Sequence, residues 1–104
     1  MLSRENILKT LKNFNEVHED EGFRVVSLFG SYARGNADDF SDIDLTYKID
    51  HERFFKDNAF AKLLKIDEFK EELQKELKKK IDFIPSNAKN TLMQQSLKNE
   101  EVLV

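Results

Sequence analysis

The sequence predicts an α+β fold, a small mixed β-sheet covered largely by helices. Two observations carry this: helical and strand periodicities alternate along the chain, and the apolar content is enough for one modest core. Of 104 residues, 39% are hydrophobic and 36% are charged, against about 25% charged in an average domain. A chain of this length buries roughly two-thirds of its unfolded surface, which predicts a single domain over residues 1–104. Nine Phe residues supply bulky core material, and one Pro and three Gly leave few breaks.

Ser3 is placed to cap a first helix, in which Ile7, Leu11 and Phe14 fall on one stripe with Leu8 beside them. The polar run at 18–22 ends it, with Gly22 as the stop. Residues 24–30, RVVSLFG, are nearly continuously apolar, as in a central strand covered on both faces. Residues 31–41 read as a tight turn, a short helix and a loop. Residues 42–49 alternate, with Asp42, Asp44 and Thr46 on one face and Ile43, Leu45 and Tyr47 on the other. Residues 51–65 read as a partly buried helical segment carrying Phe54, Phe55, Phe60, Leu63 and Leu64. Asp67 is expected to cap a stronger helix with Phe69, Leu73 and Leu77 inward, closed by Lys78, Lys79 and Lys80. Residues 81–84 form a third strand stopped by Pro85, residues 87–97 a final helix, and residues 101–104 a terminal edge strand.

The absence of Cys excludes disulfide scaffolds, thiolate zinc sites and cysteine nucleophiles. The first twenty residues hold no apolar signal-peptide core, and no apolar run approaches the roughly 20 residues that span a bilayer. A soluble, cytoplasmic protein without a membrane partner is expected. A formal charge of −3 gives no global attraction to nucleic acid.

The chemistry concentrates between Gly30 and Leu45, in GSYARGNADDFSDIDL. A buried strand ends in Gly-Ser and enters a short helix, where Gly30 permits close backbone approach and the first N–H groups make a phosphate seat. Asp42 and Asp44 emerge on one face of a strand, and Asp82 joins them if its strand pairs alongside. Three converging carboxylates need a counter-charge, and oxygen ligands without Cys or His favour Mg²⁺ or Mn²⁺. A phosphate seat beside an acidic metal site points to phosphoryl or nucleotidyl transfer. Asp38 and Asp39 read as solvated, residues 75–80 as an exposed helix end, and His18 and His51 as surface residues. Tyr32 reads as packing on the first helix, with stacking near a base as the alternative. Part of the ring cluster at 54–69 is a candidate partner surface.

GSYARG, five residues, then SDIDL resembles the signature of the minimal nucleotidyltransferases of the DNA polymerase β-like superfamily. KKIDFI is similar to that family's later strand with the third carboxylate, and SLKNEEVLV to its closing helix and strand. The resemblance implies the nucleotidyltransferase fold, with Gly30 and Ser31 on the β- and γ-phosphates of ATP. It implies two Mg²⁺ ions on Asp42, Asp44 and Asp82, with Asp82 also helping to deprotonate the acceptor hydroxyl. Arg34 and Ser41 lie within the nucleotide-binding motif, Arg34 as a phosphate-neutralising or a structural residue.

The chain has no room for the second domain that usually completes the cleft, so the missing wall is expected from another protein. Relatives that the chain resembles are antitoxins that transfer AMP to a tyrosine of a helical HEPN-type ribonuclease toxin. Two readings compete: an antitoxin that neutralises by contact alone, and a small-molecule nucleotidyltransferase of the aminoglycoside-modifying kind, which requires a homo-oligomer to complete its substrate wall. Gly30→Ala is expected to weaken nucleotide binding more than metal binding.

Overall fold

Helix α1 (Arg4–His18) begins where Ser3 leaves helical geometry: its backbone is extended and its hydroxyl accepts the Asn6 N–H at 3.1 Å. Ile7, Leu11 and Phe14 are its buried stripe. A 3₁₀ turn, Glu19–Glu21, follows, and Gly22 ends it at φ 79°. That glycine is required by space as well, because a Cβ would stand 2.9 Å from the Phe54 nitrogen. The computed structural model describes residues 2–54, 59–86 and 101–104; the helix expected at 87–97 lies outside them, as does Phe55.

The next elements are β1 (Phe23–Phe29), α2 (Ser31–Arg34), β2 (Ile43–Ile49), α3 (His51–Phe54), α4 (Ala59–Leu77), β3 (Ile81–Pro85) and β4 (Val102–Leu103). The sheet order is β3-β2-β1-β4. β1 runs antiparallel to β2 and β4, whereas β2 and β3 are parallel. A parallel pair needs a crossover, and α3 and α4 lie on it. The register slips between Val25 and Ser27, where β1 carries an extra residue against β2. This bulge explains why the strand reads as a continuous apolar run: Val25 and Leu28 turn to one face, and Ser27 to the other.

Helix α4 starts well before Asp67, which lies inside the helix and does not cap it. Ala, Leu and Lys from residue 59 onward favour helix strongly enough to extend it backward. Phe69, Leu73 and Leu77 are buried as expected, while Leu64 is 56% exposed. Phe23 is the hub of the core. Its ring meets those of Phe14, Tyr47, Phe54, Phe69 and Phe83, with the Phe69 centroid at 4.6 Å.

His18 is not the surface residue expected from the sequence. Its ring sits between Phe14 and Phe69, with centroids at 4.4 and 4.7 Å. Nδ1 meets Glu21 and Nε2 meets Glu72 at 2.9 Å, so the side chain clips α1 and the 3₁₀ turn to α4. The spacing of Phe14 and His18 on α1 was the available signal, and it needed the partner helix to become legible.

Tyr32 is buried in the core, and its hydroxyl meets no hydrogen-bond partner among the described residues. An unsatisfied buried hydroxyl costs about 1–3 kcal/mol. Tyr32→Phe is therefore expected to hold or raise the melting temperature by a few degrees in thermal denaturation; a clear drop would reveal a partner for the phenol.

Candidate active site

The site is assembled at one end of the β1–β2–β3 sheet. β1 ends at Phe29, and Gly30 takes φ 78° and ψ −155° before the short helix α2. A Cβ on Gly30 would overlap Oδ2 of Asp44 and stand 3.3 Å from its Cγ. No other residue fits that turn without displacing the carboxylate. The start of α2 carries no side-chain cap, and the helix is closed by Arg34 N–H donating to Gly30 C=O at 3.1 Å. From α1, Arg4 Nη1 donates to the Ala33 carbonyl at 2.9 Å and ties α2 down from its other end.

Asp42 precedes β2, and Asp44 lies within it, opposite Phe29 of β1 and opposite Asp82 of β3. The parallel register therefore sets Asp82 beside Asp44, and Asp42 lies near enough for its charge to act on Asp44. All three are half-buried. Burial pushes the Asp44 carboxyl above its ordinary value, and the negative charges of Asp82 and Asp42 push it further. A side-chain hydrogen bond with Asp82 acts in the same direction, and the positive charge of Arg34 opposes it. Like charges this close on neighbouring strands call for a compensating positive charge.

The other expected residues divide. Ser31 opens α2 and is half-buried beside the glycine turn. Arg34 is exposed on α2 yet electrostatically coupled to Asp44, which joins its two readings. Ser41 is engaged locally: its hydroxyl accepts the Asp38 N–H at 3.0 Å and donates to Asp38 Oδ1 at 3.2 Å. Asp38 and Asp39 are exposed, as expected, but Asp38 organises the turn that delivers Asp42.

Two features were missed. On the face of Asp44, the Ser27 and Thr46 hydroxyls meet at 2.6 Å, fully removed from solvent. The lone Ser inside RVVSLF was the signal for this pair. The second is Phe40, 94% exposed in the loop before Asp42, whereas Phe54 and Phe69 of the expected partner surface are buried. A cavity of about 850 Å³ opens near the opposite end of the sheet, lined among others by Lys12, Glu16, Arg24, Lys48 and Arg53. It lies away from the carboxylates and mixes both signs of charge, so the acidic end of the sheet is the better chemical candidate.

Among the described residues, no group of three or more acidic, His or Cys side chains stands ready to hold a metal ion. The carboxylate oxygens of Asp42, Asp44 and Asp82 nonetheless fit a hard divalent cation in kind and charge, because the negative charges of Asp82 and Asp42 both act on Asp44.

A Gly-Ser turn closing onto an Asp-x-Asp strand, with a third carboxylate on the parallel neighbour, defines a nucleotidyltransferase domain. The family described as polymerase beta, nucleotidyltransferase, matches residues 5–104, and the chain belongs to that family. A solved structure described as a minimal nucleotidyltransferase is similar at 21% identity and TM-score 0.74, covering 99% of this chain and 97% of the other. A toxin–antitoxin structure with AMP-PNP is similar at 21% identity and TM-score 0.61, covering 98% and 72%. An MntA–HepT toxin–antitoxin structure matches at 15% identity and TM-score 0.58, covering 95% and 69%. A search of the curated proteins finds no match.

With its carboxyl raised above the ordinary 3.8, folded Asp44 binds more proton than the unfolded chain between that value and its own. Stability in EDTA is therefore expected to fall as pH rises through this window. Asp44→Asn removes that fall, and its melting temperature at neutral pH equals or exceeds that of the native chain. Gly30→Ala is expected to impair nucleotide and metal binding together, since its methyl group strikes Asp44. This replaces the expectation of a selective nucleotide defect; calorimetric titration with Mg²⁺ and with ATP checks it.

Proposed function

We propose that this protein is a Mg²⁺-dependent nucleotidyltransferase that moves AMP from ATP to a protein hydroxyl. We further propose that it is an antitoxin whose acceptor is a helical HEPN-type ribonuclease toxin. The observation that carries the enzymatic reading is the register of Asp44 against Asp82, with Asp42 beside them. Similarity to toxin–antitoxin structures supports the choice of acceptor.

In this reading the α2 amides after Gly30, with the Ser31 hydroxyl, bind the β- and γ-phosphates, and Arg34 balances their charge. Asp42, Asp44 and Asp82 hold two Mg²⁺ ions, a role that Mn²⁺ also fits. When bound, these ions supply Lewis-acid stabilisation of the attacked phosphate and the leaving pyrophosphate. Asp82 takes the proton of the acceptor hydroxyl, whose oxygen bonds to the α-phosphorus as the bond to pyrophosphate breaks. Gly30 and the Ser27–Thr46 pair fix the carboxylates so that these positions do not drift. Neutralisation by contact alone is the second reading, favoured by the lack of a ready-made ligand trio among the described residues.

Label transfer from α-³²P-ATP with Mg²⁺ into a lysate of the native host tests the proposal. One labelled protein band is expected with the native chain, falling to background with Asp42→Asn while its melting curve is preserved. No band, together with tight co-purification of a helical partner, would establish the contact-only antitoxin.

A further inference from the structure

Phe40 is the most exposed of the large hydrophobic side chains among the described residues, at 94%, and stands two positions before Asp42. The turn that carries it is fully braced. Phe40 N–H donates to Asp38 Oδ1 at 2.9 Å, and Ser41 N–H to the Asp38 carbonyl at 3.1 Å. The Ser41 hydroxyl closes the same turn from the other side. Lys79, just before β3, donates to the Asp39 carbonyl. None of these bonds uses the Phe40 side chain, so the turn needs no ring there, and an aromatic group stands in solvent on a hydrogen-bonded turn.

Its position is directional. The lysine tie puts the turn at the β3 side of the carboxylates, and Gly30 and α2 stand at the β1 side. If the triphosphate tail lies on Gly30 and Ser31, pyrophosphate leaves toward β1. In-line displacement then brings the acceptor oxygen from the side of Phe40. The surroundings of the turn are polar and of both signs, with exposed Asp38 and Asp39 on it and exposed Lys78 and Lys80 on either side of the Lys79 that reaches it. An apolar centre within a polar rim has the anatomy of a protein-binding anchor.

We infer that Phe40 is the specificity anchor for the acceptor: it inserts into an apolar recess of a protein surface and sets the acceptor hydroxyl over Asp42, Asp44 and Asp82. This rests on the protein-acceptor reading above. A ring carried on a hydrogen-bonded turn costs little backbone freedom on docking and presents an apolar surface of about 150–250 Å², which is the character of an interface hot spot.

The test uses the full chain and two readouts, label transfer from α-³²P-ATP into native-host lysate and binding of Mg²⁺–ATP alone by calorimetric titration. Phe40→Ala is expected to reduce protein labelling about tenfold or more, with unchanged ATP affinity and melting temperature. Phe40→Leu, which keeps an apolar knob, recovers part of the labelling. Equal labelling by native chain and Phe40→Ala would overturn the inference. Weakened ATP binding that matches the loss of labelling would also overturn it, making the ring a nucleobase platform. No labelling by the native chain itself would remove the protein-acceptor reading and this inference with it.

Discussion

The parallel pairing of β2 with β3 sets Asp82 directly opposite Asp44, and the rest of the molecule is arranged around that enforced contact. Two carboxyl groups on adjacent strands repel once both ionise, and burial makes the repulsion harder to screen. Arg34 on the neighbouring helix sets a positive charge against it. Because the strands are parallel, the chain must travel back across the sheet between them, and α3 and α4 lie on that path. The apolar face of α4 then supplies part of the compensation. Phe69 and Leu73 are fully buried, and each such side chain contributes about 1.5–3 kcal/mol.

The second constraint acts from β1. Gly30 has no Cβ because the Asp44 carboxylate occupies that space, so the glycine turn and the acidic strand are a single steric unit. Arg4 anchors the far end of α2 from α1, and the Ser27–Thr46 hydroxyl pair ties the two strands on the site's own face. A short helix of Ser31–Arg34 has little stability alone; its orientation is borrowed from these neighbours. Rigidity of this kind is what a charge-dense site needs, since a small displacement of a carboxylate changes every interaction around it.

The strands and their order of appearance were legible because β2 alternates cleanly and β1 and β3 are short apolar runs, β1 bounded by Gly30 and β3 running one residue past the expected stop to include Pro85. The carboxylates were legible because period-two geometry alone puts Asp42 and Asp44 on one face. Asp67 misled because a good N-cap residue is also tolerated mid-helix when the residues before it favour helix. His18 was misread because its partners, Glu72 and Phe69, are distant in sequence and reach it only through helix packing. Phe40 was grouped with core rings because ring count carries no information on which ring is left outside.

The sequence by itself determined the α+β class, the glycine turn and the residue types of an acidic site, since each follows from local spacing and backbone sterics. Only the tertiary structure decided that Asp82 faces Asp44, that Gly30 has no room for a side chain, and that Phe40 is exposed while Phe54 and Phe69 are buried. Those facts are contacts between segments far apart along the chain. Strand register and helix docking create them, and no local pattern encodes them.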